Sequence, residues 1–152
     1  MAIQIKTLDQ LKTMRRAGLL VGQTLELLRQ SIKVGMRTDA LDAIAAANIK
    51  RGGGTSNFLG YHGYPATICI SINDEIVHGI PGDRIIQDGD VVSIDCGAII
   101  DGWHGDAAFS VGVGNVDLAD QKMMDVCEES MWRGFAAAKV GGRLTDISHA
   151  IG

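Results

Sequence analysis

An Asp-Gly dipeptide between two long strand-like segments constrains the fold more than any other feature of this sequence. Asp101-Gly102 separates residues 91–100 from residues 103–111, and both segments are rich in aliphatic or aromatic side chains. Asp-Gly in such a setting is typical of a two-residue β-hairpin turn. The sequence therefore predicts an antiparallel hairpin in which Gly97 lies opposite Asp106.

The same register brings two carboxylates together. With Asp95 opposite Ala108, Asp95 and Asp106 are diagonal neighbours on one face of the hairpin. Diagonal Cβ atoms are somewhat less than about 7–8 Å apart, and two carboxylates at that separation repel each other. One divalent cation, or two about 3.5–4 Å apart, would remove the repulsion and use the oxygens as ligands. The pair predicts a metal site; the alternative is a hairpin whose aspartates simply face water.

Histidines lie close to these features in the sequence. His104 shares the alternation of Asp106 in the hairpin. His78 follows residues 75–77, which look like a strand, so we expect its imidazole at a strand end. His62 lies in a Gly- and Pro-containing loop whose two tyrosines are candidates to line a pocket. For His78 and His104, the alternative is a structural imidazole held by hydrogen bonds, and for the His62 segment it is an ordinary loop anchored by its aromatic residues.

Hydrophobic periodicity predicts helices on both sides of a strand-rich middle. The first helix begins with a capping box at Thr7 and Gln10, and a second runs from Thr38 to about residue 50. Alternation predicts a strand around 68–72, and helical spacing returns from 117 to about 139. The first helix is expected to bury one stripe, and the last to turn three residues inward: Leu8, Leu11, Met14, Gly18, Val21, Leu25 and Leu28; Val126, Met131 and Phe135.

Composition excludes several classes of protein. The 152 residues suit one domain, and a net charge of −4 without a basic block argues against nucleic-acid binding. No apolar run approaches the ~20 residues that a membrane span requires, and the amino terminus lacks the apolar core of a signal peptide. The three cysteines lack CxxC spacing, as expected for reduced thiols in the cytoplasm. Cys96 is expected in the core and Cys69 on the opposite face of its strand, towards a pocket.

One short repeat suggests an internal duplication. Residues 33–37 (KVGMR) return as residues 139–143 (KVGGR), each time after a helical stretch. The repeat predicts that residues 139–152 begin a second copy of a helix and sheet unit, in which case the chain stops inside that copy. The alternative is chance, or a helix–turn–helix solution that occurs twice.

Six motifs occur in order along nearly the whole chain: Gly60-Tyr61-His62-Gly63-Tyr64-Pro65, Ser71-Ile72-Asn73-Asp74, Val77-His78-Gly79-Ile80-Pro81, Asp88-Gly89-Asp90, Ser93-Ile94-Asp95 and Asp101-Gly102-Trp103-His104-Gly105-Asp106. Together they resemble the motifs of type I methionine aminopeptidases. The resemblance implies the amino-terminal half of the pita-bread fold: a single α/β (α+β) domain over residues 1–152, with two helices, an antiparallel sheet and a further helix.

The resemblance also implies a set of site residues. Asp95 and Asp106 match two of the five side chains that hold two divalent metals in the family, and Asp106 matches the one that bridges them. The sequence does not distinguish Co, Mn, Fe, Zn and Ni. His78 matches a catalytic histidine that contacts the substrate near the scissile peptide. The remaining matches surround the methionine side chain of the substrate: Phe58, Tyr61, Tyr64 and Cys69.

The sequence departs from the family in one large respect. The metal-binding histidine and both glutamates of the family belong to its second half, which is absent here, and His149, Glu128 and Glu129 do not match them. We therefore expect a partial or empty metal site and little activity from this chain, although the parent activity is removal of the initiator methionine from new polypeptides. The alternatives are a non-catalytic pita-bread binding module and a metal-free structural homodimer in which a second copy replaces the missing half.

Overall fold

The structure, a computed structural model, describes residues 3–152 and divides into two compact units, the first ending at Asn115 and the second beginning at Val116. The first unit confirms the predicted order of two helices followed by an antiparallel sheet. Its elements are α1 (Leu8–Ser31), α2 (Thr38–Arg51), β1 (Thr55–Ser56), a short 3₁₀ helix (Tyr61–Gly63), β2 (Ile68–Ile72), β3 (Val91–Ile100) and β4 (Trp103–Gly112).

The predicted hairpin is confirmed residue by residue. β3 pairs with β4, with Ile100 opposite Trp103 and Gly97 opposite Asp106. The φ angles of Asp101 and Gly102 are +50° and +77°. Positive φ at both central positions is the requirement of a type I′ turn, which matches the twist of the flanking strands.

β3 is the central strand of the sheet. β4 lies along one of its edges, while β1 and β2 follow each other along the other edge. Asp42 of α2 anchors the start of β2, because its Oδ1 accepts hydrogen bonds from the Thr67 and Ile68 backbone N–H groups at 2.8 and 2.9 Å. These hydrogen bonds fix the start of β2 to α2.

The core lies between the helices and one face of the sheet. Alternate residues of β2 and β3 are almost completely buried against α1 and α2: Ile68, Ile70, Ile72, Val92, Ile94, Cys96, Ala98 and Ile100. Cys96 is in this core as predicted, and burial raises the pKa of its thiol to about 12. Each isoleucine and valine of this set contributes roughly 1.5–3 kcal/mol by leaving water, which makes this face the main source of stability.

The capping box of α1 is confirmed, but its predicted buried stripe is only partly right. Val21 and Leu28 are buried, whereas Leu8 and Leu11 are 77% and 46% exposed and lie outside the core cluster. The helix makes its close approach to the sheet at Ala17, about two and a half turns after it begins. Helical spacing identifies an apolar stripe but does not show where along that stripe the partner surface starts. The residues of α1 that are buried are Ala17, Leu20, Val21, Thr24 and Leu28.

The second unit consists of α3 (Leu118–Ala137), which Asp117 caps, and α4 (Leu144–Ile151). The helix predicted from 117 is confirmed. The prediction that three of its apolar residues face inward is wrong. Among the described residues of α3, Gly134 is the buried one, and it packs against Ile147 and Ile151 of the short α4. Three apolar side chains remain at least 41% exposed: Val126, Met131 and Phe135.

Within residues 3–152, no helix combines the length and the apolar character needed to cross a membrane. All three cysteines are free: Cys69, Cys96 and Cys127.

Candidate metal and substrate site

The sheet face that points away from the helices carries the candidate site. Its residues alternate with the core residues along the same strands, so Asp95 on β3 and Cys69 on β2 are directly paired on this side. We call it the polar face. It comprises Cys69, Ser71, Ser93, Asp95, Gly97, His104, Asp106, Ala108 and Ser110.

Asp95 and Asp106 lie on the polar face in the predicted diagonal relation. Asp95 pairs with Ala108, and Asp106 pairs with Gly97 one position further along the same face. Gly97 has no side chain, so nothing attached to β3 stands between the two carboxylates.

Asp95 is an unusual carboxylate in its surroundings as well as its pairing. It is half-buried, and its Oδ1 is completely buried without a hydrogen-bond partner. Burial is the largest cause of its raised pKa and the charge of Asp106 the second, while His78 acts in the opposite direction. A buried carboxylate oxygen without a donor costs free energy unless a cation or a proton compensates it.

The chemistry of this donor pair fits one side of a divalent-cation site. Two carboxylates converge on one space, and a buried oxygen of Asp95 lacks a protein partner. Within residues 3–152, no group of three or more histidine, cysteine, aspartate or glutamate side chains is arranged to hold a metal ion. Divalent metals commonly take four or more ligands, so the two aspartates are part of a site rather than a whole one.

Close packing on α1 fixes the position of Asp106. Its neighbour Gly105 faces the helix so closely that a Cβ there would lie 2.6 Å from the Ala17 carbonyl carbon and the Gly18 nitrogen. Arg16 of the same helix forms an ion pair with Asp101 of the hairpin turn at 2.9 Å. The glycine allows the helix backbone to contact β4, and this contact holds the aspartate-bearing strand in place.

His78 lies beside the polar face in a strained loop, and the predicted strand at 75–77 is wrong. Val77 and His78 have φ angles of +42° and +57°, a left-handed conformation that side-chain-bearing residues rarely adopt. The next residue, Gly79, docks on β2, donating its N–H to Ser71 Oγ and accepting from the Ile70 N–H at 2.9 Å. A Cβ at Gly79 would lie 2.0 Å from the Ile70 carbonyl oxygen. Alternation suggested extended backbone, but the docking of Gly79 determines this loop instead.

A cavity of about 280 Å³ joins this loop to the polar face. Cys69, His78 and Asp95 are among its lining residues, so the structure brings together three of the residues singled out in the sequence. Burial is the main cause of the raised pKa of the Cys69 thiol. A larger depression of about 590 Å³ lies between α1 and α2, but it is shallower and Glu26 is its one carboxylate among the described residues.

The aromatic residues of the 58–64 segment form a separate group that does not line this cavity. The rings of Phe58 and Tyr64 meet edge to face at 6.4 Å. The Tyr64 hydroxyl lies 2.9 Å from the Gly79 carbonyl oxygen and 3.1 Å from that of Ile68, so it links the segment to the His78 loop. Tyr61 is 68% exposed, and its ring meets that of His62 edge to face at 4.4 Å.

His104 and His149 differ in their setting from His78. His104 lies on the polar face opposite Ile99 and is exposed, and His149 lies on α4 in the second unit. Sequence reasoning missed Asn57, whose side chain covers Gly97 on the polar face. An available signal was the glycine itself, because a glycine in mid-strand often marks a close approach of another group.

Comparison with known proteins gives a consistent result. Residues 12–152 match the model of "Metallopeptidase family M24". The chain is 49% identical to methionine aminopeptidase 1 of Bacillus subtilis (strain 168) and 48% identical to that of Mycobacterium tuberculosis, in each case over 96% of this chain. It spans 59% and 55% of the lengths of these two relatives.

The fold has the same relatives. A crystal structure of methionine aminopeptidase from Thermotoga maritima superimposes with a TM-score of 0.94 at 33% identity, over 98% of this chain and 60% of that one. This match confirms the pita-bread architecture for the part that the chain spans. With the polar face, its paired aspartates and a family match over most of its length, the chain belongs to metallopeptidase family M24.

Proposed function

We propose that this chain carries the aspartate half of a divalent-metal aminopeptidase site, and that the activity it serves is hydrolytic removal of an amino-terminal methionine. The observation that carries the proposal is the pairing of Asp95 and Asp106 on the polar face, with one buried Asp95 oxygen lacking a protein partner. Methionine aminopeptidases of several bacteria, 42–49% identical to this chain, support the choice of substrate class.

In this proposal, Asp95 and Asp106 hold the metal, which supplies Lewis-acid chemistry and lowers the pKa of water when bound. The position of His78, on the rim of the cavity that Asp95 lines, supports a role in contacting the substrate peptide. Cys69, on the same face, is a candidate contact for the methionine side chain. The remaining candidates are the aromatic side chains of the adjoining segment: Phe58, Tyr61 and Tyr64.

We expect the 152-residue chain alone to have little or no aminopeptidase activity. Two carboxylates offer fewer donors than the closed or nearly closed sites that transition metals prefer. Metal-dependent release of methionine from a Met-Ala peptide by this chain, abolished by Asp106→Ala, would contradict that expectation.

The function is tested most directly in a chimera. These 152 residues replace the portion that they match in methionine aminopeptidase 1 of Bacillus subtilis. The chimera should release methionine from peptides in a metal-dependent reaction, and Asp95→Asn or Asp106→Asn should each abolish it. Cys127→Ser, a change at an exposed thiol, is the matched control and should retain activity. A chimera that folds and binds metal but releases no methionine favours the non-catalytic binding module.

We place the chain in the cytoplasm, for which the three free cysteines are the supporting observation. The identity of the metal is to be found by comparing Co(II), Mn(II), Fe(II), Zn(II) and Ni(II) in that chimera. The homodimer remains a prediction: β4 pairs with β3 along one edge, and within residues 3–152 its other edge has no strand partner. Light scattering at twice the chain mass would support a dimer, and a monomer mass would count against it.

A further inference from the structure

Asn57 occupies a position between the strands of the candidate site. It directly follows β1, and its backbone N–H donates to the Gly97 carbonyl oxygen at 3.1 Å. Gly97 pairs on its other side with Asp106, so Asn57, Gly97 and Asp106 form one row across the sheet. Asn57 and Asp106 are therefore the two side chains that flank the bare glycine.

The Asn57 side chain extends across Gly97 towards β4. A Cβ at Gly97 would lie 2.6 Å from Asn57 Nδ2 and 2.8 Å from its Cγ. Nδ2 donates to the carbonyl oxygen of Gly105, the neighbour of Asp106, at 3.3 Å. This hydrogen bond fixes which end of the amide is which, because the reverse orientation would place two acceptor oxygens against each other.

The other end of the amide has no partner. Asn57 Oδ1 is completely buried and accepts no hydrogen bond. Such an oxygen is costly to bury, and a native structure retains one mainly where another group is expected to bind it. Within residues 3–152, only one further buried side-chain polar atom lacks a partner, and it is Asp95 Oδ1.

The coincidence of these two oxygens is informative because the other buried polar side chains are satisfied. Asn48 donates to Thr24 Oγ1 at 2.9 Å between α1 and α2, and the Thr24 hydroxyl donates to the Leu20 carbonyl oxygen at 2.8 Å. Asp90 accepts from the Asn73 amide at 2.9 Å. The two unpartnered oxygens are instead both at the candidate site: one belongs to Asp95, and the other belongs to the side chain that covers Gly97, two residues further along β3. Both are acceptors, so the group that satisfies them must be a cation or a donor.

We propose that Asn57 Oδ1 is a third oxygen donor to the divalent cation held by Asp95 and Asp106. The inference rests on the proposed function, because it presupposes the cation. Amide carbonyl oxygens are suited to hard divalent ions such as Mn²⁺ and Ca²⁺. The hydrogen bond from Nδ2 to Gly105 gives the same side chain a second task, since it ties the donor to the strand that carries Asp106.

The test is a titration of the 152-residue chain with Mn(II), followed by calorimetry and by the electron paramagnetic resonance signal of free Mn(II). Asn57→Leu keeps the approximate volume but removes the oxygen and should weaken Mn(II) binding about ten- to a hundredfold. Asn57→Asp loses the N–H donation to the Gly105 carbonyl oxygen but adds a negative charge beside the proposed cation, and it should tighten binding. Asp106→Asn is the positive control for the cation site, and Asn115→Ala, at the end of the first unit, is the matched control.

Each outcome decides the inference. Weaker binding by Asn57→Leu together with tighter binding by Asn57→Asp supports it, because a merely structural asparagine would not gain affinity from a carboxylate. If the chain binds Mn(II) through Asp106 but both Asn57 variants bind as the unchanged chain does, the inference is overturned and the proposed cation site stands.

If the unchanged chain binds no Mn(II), the proposed cation site fails for this chain, and Asn57→Asp decides the inference alone. Mn(II) binding by that variant that requires Asp106 would support the placement of Asn57. Absence of binding by that variant would overturn it. Thermal unfolding of each metal-free variant shows that an altered affinity does not come from an unfolded chain.

Discussion

The two faces of β3 differ in how completely they are satisfied. On the face of β3 that packs against α1 and α2, Ile94 and the other apolar residues are almost completely buried, and the polar groups nearby have hydrogen-bond partners. On the polar face, Asp95 is half-buried beside a second carboxylate, and one of its oxygens has no partner. Because the same strand carries both sets of residues, a difference in backbone regularity does not explain the contrast.

The contrast distinguishes the face of the sheet that stabilises the fold from the face that carries the candidate site. Apolar burial on one face is self-sufficient, since every side chain finds its partners within the chain. The polar face is incomplete, since both of its buried unpartnered atoms are acceptor oxygens, one of Asn57 and one of Asp95. Local defects of this kind are expected at functional sites, where structure is retained at a cost to stability.

The largest expected effect on stability is in the core between the sheet and the two helices. Ile94→Ala should lower the free energy of unfolding by roughly 2–5 kcal/mol, because it leaves a cavity in a closely packed core. Ser93→Ala, the neighbouring residue on the polar face, removes one hydrogen bond to Ser110 and should cost only about 1 kcal/mol. Urea denaturation of both variants measures the difference. Similar losses would contradict the assignment of stability to one face.

The two mid-strand glycines sharpen the comparison. Gly105→Ala places a Cβ against the backbone of α1 and should cost roughly 1–3 kcal/mol or more. The nearest contacts of a Cβ at Gly97 are atoms of the Asn57 side chain, its Cβ at 2.8 Å among them, and not helix backbone, so the cost of Gly97→Ala should be smaller. Thermal and urea unfolding distinguish these costs. A larger loss for Gly97→Ala would show that the polar face is the more rigidly packed of the two.

Strain in the His78 loop predicts a change in the opposite direction. Val77→Gly should raise the free energy of unfolding by roughly 1 kcal/mol, because a β-branched residue is disfavoured at a φ of +42° and glycine is not. Ile76→Gly, at the preceding position with no positive φ, is the control and should lower stability. A loss for Val77→Gly equal to that of the control would exclude strain at this position.

The smallest expected effect on stability is at the aspartate pair itself. Asp95→Asn should leave the metal-free chain within about 0.5 kcal/mol of its original stability, or raise it. The amide carries no charge to bury and does not repel Asp106. Urea denaturation without divalent ions tests this expectation. A loss comparable to that of Ile94→Ala would mean that Asp95 is primarily structural.

The sequence was sufficient for the parts of the fold that local patterns determine. The Asp101-Gly102 turn fixed the register of the hairpin, and the register placed Asp95 and Asp106 on one face. Local patterns failed where distant contacts decide the outcome. The conformation of the loop before Gly79 depends on the docking of that glycine on β2. Phe135 is exposed although its helical spacing predicts burial, because spacing does not specify what packs against α3.

Asn57 illustrates the same limit at the site. Nothing in its local sequence indicates that its side chain will cross a strand. Its position follows from the pairing that continues from β1 to Gly97, and from the space that this glycine leaves. A polar residue that bridges strands in this way can be identified only once those strands have been placed in register.

The central claim is that Asp95 and Asp106 act as one cation-binding unit. A double-mutant cycle with Asp95→Asn, Asp106→Asn and the double variant, each titrated with Mn(II) by calorimetry, tests it most directly. The account predicts that the unchanged chain binds Mn(II) in the millimolar range or tighter, and that either single change removes as much binding as both together. Independent, additive losses from the two aspartates, or binding that neither change affects, would contradict it.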